Sequence, residues 1–230
     1  MNENSNYFKI LTTNDGSNSI YSDFQKSLFH SIHGAVTESN HIFIENGLKY
    51  SLKNLNSIRV LEMGLGSGLN ILLTWNYLQS NPNFTCTYIS IEEYPIPIEL
   101  VSQINYARYA SSLPINSLQI IHQAKWNELI RLSENFSLKK VSANIINLSF
   151  QPEFHLIYYD AFAPEVQPEL WTTELFEKLY QSLLPNGTLI TYCAKGYVKR
   201  NLKKVGFKIE SLPGPPGKRE ITRAIKPTEN

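Results

Sequence analysis

The spacing of apolar and polar positions changes character near residue 57 of this 230-residue chain. Beyond that point, apolar runs of strand length alternate with stretches of helical length, the rhythm of an open α/β sheet. Residues 58–63 are the first apolar run, and residues 69–78 (LNILLTWNYL) continue as an apolar helix. Residues 86–91 predict the second strand. A helix near 96–109, a strand near 118–122 and a helix near 126–136 are expected next. Residues 141–148 alternate loosely and suggest an added edge strand, and residues 154–159 (FHLIYY) predict the fourth core strand. A helix over about 168–184 then leads through Pro185-Asn186-Gly187 into a strand over 187–193. Residues 197–204 predict a basic helix stopped at Gly206, a residue suited to the left-handed turn after a helix. Residues 207–211 and 220–225 predict a closing antiparallel pair. The expectation is a doubly wound, seven-stranded, mostly parallel sheet, with residues 57–230 as one compact unit.

Residues 1–56 lack that rhythm. Two runs, 7–12 and 19–21, flank Asn14-Asp15-Gly16, a strong hairpin signal. Residues 24–32 are expected as a helix, and 41–44 as a short strand ahead of an Asn46-Gly47 turn. This segment reads as an N-terminal extension that forms a lid or a substrate-side wall.

Composition narrows the class. A chain of this length holds one generous α/β domain, and 42% hydrophobic residues suffice for its core. Net charge is +1, yet residues 195–230 hold ten Lys/Arg against three Glu, or +7, which leaves −6 on the first 194 residues. Such asymmetry suggests a polyanion at the C-terminal face, although charged helix surfaces are common. Cys86 and Cys193 both lie in apolar runs and are expected as buried thiols in a reducing compartment. Five histidines (30, 33, 41, 122, 155) have no metal-ligand spacing, so no metal site is expected. The opening MNENSNYFKI has no basic region followed by an apolar stretch, and no run approaches the ~20 apolar residues of a membrane span. A cytoplasmic, membrane-free protein is expected.

The chemistry concentrates in two places. Gly64, Gly66 and Gly68 follow the first strand directly, where glycine permits a sharp turn and a close approach to a ligand. The corner opens at the N-terminus of the next helix, which favours a carboxylate. Glu62, an acid just before the glycines, would repel a pyrophosphate and attract an ammonium, so a dinucleotide is disfavoured and S-adenosylmethionine is expected. Glu92 ends the second strand about 24 residues after Gly68, where an acid binds ribose hydroxyls in nucleotide-binding βαβ units. Glycine for turn geometry alone, and Glu92-Glu93 as a solvated pair, remain open readings.

Asp160-Ala161-Phe162-Ala163-Pro164 forms the second place, leaving the fourth strand beside the first. Asp160 suits an acceptor amine held in line with a sulfonium methyl, and Phe162 offers a flat face to a base. An alkylamine has a pKa of about 10, so desolvation or a carboxylate must help remove its proton. Asp160 is the candidate for that task. The plainer reading is an Asp that caps the following turn.

These motifs resemble a known family. The run Glu62-Met63-Gly64-Leu65-Gly66-Ser67-Gly68-Leu69-Asn70, the Asp160 loop followed by Pro168-Glu169-Leu170-Trp171-Thr172, and residues 214–220 (GPPGKRE) are similar to the methyltransferase part of the bacterial enzymes that complete 5-methylaminomethyl-2-thiouridine in tRNA. Asp15-Gly16-Ser17, Tyr21-Ser22, Phe29-His30-Ser31 and residues 34–39 also resemble that family's opening motif, and the likeness runs from about residue 10 to 225. The resemblance implies a class I (Rossmann-like) S-adenosylmethionine-dependent methyltransferase. Its expected reaction is methylation of the 5-aminomethyl group on the wobble uridine, in the anticodon region of tRNA. The chain lacks room for the flavin-dependent half of the two-domain relatives, so the stand-alone form is expected, with separate enzymes supplying the aminomethyl precursor. By the same resemblance, Glu62, Gly64, Gly66, Gly68, Asn70 and Glu92 take cofactor positions, Tyr21 closes over the cofactor, and Asp160 and Phe162 form the reaction loop with Pro164. Lys199, Arg200, Lys203 and Lys204, with Lys218, Arg219 and Arg223, are expected to meet tRNA phosphates. An aminopropyltransferase or small-amine methyltransferase is the nearest enzyme alternative. A non-catalytic RNA- or nucleoside-binding module is the alternative of another class.

Overall fold

The computed structural model describes residues 7–228; the expectation about a leader at the first six residues lies outside them. Three strands, β1 (Phe8–Thr12), β2 (Asn18–Ser22) and β3 (Ser27–Leu28), form a small antiparallel sheet in that order. The hairpin signal holds, with Thr12 facing Asn18 across a five-residue loop. Asp15 fixes that loop by accepting the Ser17 N–H at 3.0 Å and the Thr37 N–H at 2.8 Å, and these bonds hold its carboxyl well below the usual range against the cost of burial. The helix expected over 24–32 is replaced by a turn and β3.

The strand expected over 41–44 is also replaced. Helix α1 (Ala35–Ser39) runs into a π-helical stretch, Asn40–Leu48, and then into α2 (Lys49–Ser51). Asn46-Gly47 is no turn: a Cβ on Gly47 would lie 3.1 Å from Ile190 and 3.2 Å from Tyr158, so glycine lets this helix press on the sheet. Ile42, Phe43, Ile44 and Leu48 are buried there, and burying that much apolar surface outweighs local strand propensity.

The main sheet has eight strands, not seven. They are β4 (Ser57–Met63), β5 (Thr85–Glu92), β6 (Leu129–Ser133), β7 (Phe136–Ser142), β8 (Phe154–Tyr159), β9 (Leu183–Thr191), β10 (Lys208–Pro213) and β11 (Glu220–Ile225), in the order β10-β11-β9-β8-β4-β5-β7-β6. Strands β9, β8, β4, β5 and β7 are mutually parallel, and β6, β11 and β10 join antiparallel. One face carries α1, the π-helical stretch, α3 (Leu69–Gln79), α4 (Ile98–Val101) and α5 (Ser117–Gln123). The other carries α6 (Thr173–Ser182) and α7 (Gly196–Val205).

The middle of the chain departs most from expectation. The strand expected over 118–122 is α5, with Leu118 and Ile121 buried one helical turn apart. The helix expected over 126–136 is the β6–β7 hairpin, in which Phe136, Leu138 and Lys140 are buried alternately. Asn135 locks its turn by donating to the carbonyls of Leu78 (2.8 Å) and Phe84 (3.2 Å). The long helix expected over 96–109 is only α4 and a 3-10 turn, Tyr106–Tyr109, and residues 145–147 form a 3-10 turn where an edge strand was expected. The Pro185-Asn186-Gly187 turn lies inside β9 as an irregularity, with Asn186 at φ 63°. Cys86 and Cys193 are buried free thiols.

Candidate active site

Strands β4 and β8 are neighbours, and the loops after their carboxyl ends face each other. After β4 the chain turns through Gly64, Gly66 and Gly68 at φ 88°, 49° and 79°, a backbone that side chains rarely tolerate. A Cβ on Gly66 would also meet the Phe29 ring at 3.2 Å, and one on Gly68 would meet His122 Nε2 at 2.8 Å. Beyond this corner lies a cavity of about 720 Å³, within the ~300–1,000 Å³ of small-molecule sites. Its wall includes the glycine loop, Asn70, Glu92, Asp160 and Phe162.

Glu92 ends β5 and faces the glycine loop. Its Oε2 accepts the Gly66 N–H at 3.1 Å and its Oε1 the Tyr94 N–H at 2.8 Å. A carboxylate has about four acceptor sites, so two remain for hydroxyl donors. Asn70, in the first turn of α3, donates from Nδ2 to Asp160 Oδ2 at 2.8 Å, while its buried Oδ1 has no partner. Burial pushes the Asp160 carboxyl up to about 7; Glu38 adds to the rise, and the Asn70 bond and Lys218 oppose it.

Glu62 stands apart from this wall. Its side of β4 faces the core, where the residue is 1% exposed and accepts the Ser90 hydroxyl at 2.7 Å. Burial, with Asp160 adding to it, pushes its carboxyl up to about 8. The structure thus sets Glu62 behind the cavity wall rather than on it, with its buried Oε1 left without a hydrogen-bond partner among the described residues. Tyr21 is also absent from the cavity wall. Phe8 and Ser22, a cross-strand pair, line the cavity, whereas Tyr21 pairs with Lys9 one position along and so points to the opposite face.

Two wall residues carried no chemical signal in the sequence. Phe29 stands edge-on to Phe162, centroids 5.2 Å apart, and against Gly66. His30 contacts the Ser67 hydroxyl at 3.0 Å, and burial pushes it down to about 4, so the ring is neutral. Each is visible only as part of the opening motif, because strand contacts over long sequence separations place them.

A smaller hollow of about 440 Å³ lies on the other side of the Asp160 loop, lined by Pro164, Tyr192, Lys195, Lys218 and Arg219 among others. Arg200, Lys203 and Lys204 are exposed on α7, three and four residues apart on one face. Lys199 and Arg223 are withdrawn from that surface: Lys199 donates to Glu220 Oε2 at 2.8 Å and Ser211 Oγ at 2.7 Å, and Arg223 to Glu210 Oε2. Lys218 also turns inward, to Glu38.

A family model described as S-adenosyl-L-methionine-dependent methyltransferase matches residues 105–227, more than half of the chain. The chain belongs to this family. The methyltransferase's cofactor is S-adenosylmethionine, and its glycine cradle and spare Glu92 acceptors fit that group. The chain is 28% identical over 218 residues to the tRNA 5-methylaminomethyl-2-thiouridine biosynthesis bifunctional protein MnmC of Cupriavidus necator, covering 89% of this chain and 32% of that protein. MnmC of Cupriavidus metallidurans is also 28% identical, with 93% and 33% covered. The chain thus spans about a third of the length of these curated relatives. The crystal structure of MNMC2 from Aquifex aeolicus superposes with a TM-score of 0.75 at 25% identity, covering 96% of this chain and 73% of that one. Spermidine synthase from Thermotoga maritima shares the fold, with a TM-score of 0.60 at 16% identity, covering 96% of this chain and 70% of that one.

Proposed function

We propose that this methyltransferase methylates the primary amine of 5-aminomethyl-(2-thio)uridine at the wobble position of tRNA, giving the 5-methylaminomethyl nucleoside. The observation that carries this reading is the placement of Asp160, a hydrogen-bonded carboxyl on the loop between a glycine-cornered cavity and a basic hollow. The names of the curated relatives supply the nucleoside. In this reading the larger cavity takes the donor and the basic hollow faces the RNA, while residues 1–56 act as a lid.

When bound, S-adenosylmethionine would supply an electrophilic methyl group on a sulfonium, with a thioether as its leaving group. The chain's residues prepare the acceptor nitrogen. Glu92 receives ribose hydroxyls, and the N-terminus of α3 faces a carboxylate. Phe162, braced by Phe29, offers its ring to the acceptor base. Asp160 accepts the ammonium proton, freeing the lone pair. With Asp160 at about 7 and the amine at about 10, transfer is uphill by about three units, or ~4 kcal/mol, a gap that desolvating the ammonium narrows. The rest of the acceleration comes from holding donor and acceptor in line.

Arg219 and the exposed cations of α7 are assigned to tRNA phosphates. No helix among the described residues is long and apolar enough to cross a membrane, and a tRNA substrate puts the work in the cytoplasm. Separate enzymes would supply the aminomethyl group. The test is to incubate the protein with methyl-labelled S-adenosylmethionine and tRNA from cells lacking the modification, with short polyamines in a parallel arm. Label in 5-methylaminomethyl-(2-thio)uridine is expected by mass spectrometry; label in the polyamines alone would select the small-amine reading.

A further inference from the structure

The N-terminal extension reaches the reaction centre through one buried carboxylate. Glu38 lies in α1, its side chain 11% exposed. Its Oε1 accepts the Ser31 N–H at 3.0 Å, and its Oε2 lies 3.3 Å from Lys218 Nζ. Lys218 comes from the loop between β10 and β11, and its ammonium also stands 4.8 Å over the Tyr192 ring. The Tyr192 hydroxyl donates to the carbonyl of Ala161, next to Asp160, at 2.8 Å. Two segments about 180 residues apart in sequence thus close around the Asp160 loop.

Charge makes this arrangement consequential. The titratable groups whose charges reach Asp160 are Glu38 from α1, Glu62 from β4, Tyr106 from its 3-10 turn, Tyr192 after β9 and Lys218. Lys218 is the cation of that set, and its ion pair is with Glu38. Released from Glu38, the Lys218 ammonium would keep Asp160 as a carboxylate that its charge already reaches, and a closer approach would take the place an acceptor ammonium needs. A half-buried ammonium that loses its partner is drawn towards a carboxylate within reach.

We propose that Glu38 is a positioning residue for methyl transfer: by holding Lys218, it keeps the Asp160 carboxylate open to the cationic amine of the acceptor. The inference rests on the reading of Asp160 as the group that takes the acceptor's proton. Glu38 touches neither substrate nor donor and acts through Lys218.

The test exploits a convenience of the sequence, which contains three aspartates, Asp15, Asp23 and Asp160. Protein labelled with ¹³C at aspartate carboxyls, without donor or tRNA, reports the Asp160 titration directly. Glu38→Gln should lower that midpoint, because a raising charge is lost and Lys218 is freed. It should also move the acid limb of kcat/KM to lower pH and raise the acceptor KM on the order of tenfold, with the donor Kd unchanged by calorimetry. Lys218→Met should move the midpoint the other way. The double variant Glu38→Gln/Lys218→Met removes one charge of each sign, so the midpoint should return near that of the parent.

An unchanged midpoint in Glu38→Gln, equal directions in the two single variants, or a double variant whose midpoint stays where Glu38→Gln puts it would each overturn the proposal. Should Glu38→Gln fail to fold, Lys218→Met and the double decide by the same signs. A parent protein that leaves aminomethyluridine tRNA unmethylated while the midpoints move as expected sinks the tRNA reading and keeps the positioning role. An active parent with unmoved midpoints does the reverse.

Discussion

The two hollows on either side of the Asp160 loop are built from different chemistry. The larger is walled by aromatic and aliphatic groups such as Phe29, Ile91, Tyr94 and Phe162, with a glycine corner and the acids Glu92, Glu93 and Asp160. The smaller is bordered by Lys195, Lys218 and Arg219 around Pro164 and Tyr192. A cationic, flat-ringed, hydroxylated donor suits the first, and an anionic backbone suits the second. Asp160 lines the larger hollow, at the start of the loop whose Ala163 and Pro164 line the smaller; in the proposed reaction, a carboxyl raised to about 7 can receive a proton near neutral pH. Specialisation of the two sides makes them separable by mutation.

The largest expected effect comes from the shared loop. Asp160→Asn keeps the shape and the neighbouring Asn70 but cannot accept a proton, so kcat should fall by ~10²–10⁴ while the donor Kd measured by calorimetry stays within a few-fold. In the parent, kcat/KM should decline as pH drops through about 7, the region of the Asp160 carboxyl, and the variant should lose that acid limb. A binding module without catalysis would show no such loss, and retained turnover in the variant would remove Asp160 from the chemistry.

On the donor side, Glu92→Ala should weaken S-adenosylmethionine binding by ~1.5–3 kcal/mol, the worth of charge-assisted hydrogen bonds, or about 10- to 150-fold in Kd. Glu62→Gln should change that Kd by less than about threefold, because the side chain lies off the cavity wall and amide replaces a carboxyl already held neutral. A large effect at Glu62 with none at Glu92 would reverse the roles that the geometry gives these two acids.

Large effects at both acids would instead restore the reading available from sequence, which set Glu62 against the donor ammonium and Glu92 against its ribose. The glycine corner, β4, β5 and β8 were legible because parallel strands buried on both faces read as continuous apolar runs, and each ended where the pattern stopped. Whether an acid at a strand end faces the crevice or the core depends on one step of strand alternation, and apolar neighbours on both sides hide it. The facing of Tyr21 was hidden for the same reason. Between residues 94 and 150 the difficulty was different: short apolar runs such as 118–121 fit either period, and the β6–β7 hairpin is pinned by Asn135, whose partners Leu78 and Phe84 are remote in sequence. The helix at 40–48 was hidden because its glycine serves a helix-to-sheet contact that only the folded chain contains.

The smallest effect on turnover is expected on the RNA side, and it is the one that salt resolves. Arg200, Lys203 and Lys204 project from one face of α7, away from the donor cavity, and Lys199 is left out because Glu220 and Ser211 already hold it. Replacing the three by Ala should leave kcat at saturating tRNA and the donor Kd unchanged. The tRNA Kd should rise on the order of tenfold at low salt, and the slope of log K against log salt should flatten by about two, at ~0.7 for each single-strand phosphate no longer neutralised. The flattened slope matters more than the weakened affinity, because a variant that merely unfolded or distorted α7 would also bind poorly but would not shed a defined number of counterions. An unchanged slope in a filter-binding series would take α7 out of the RNA surface and leave the basic hollow beside Asp160 as the place where the backbone is held.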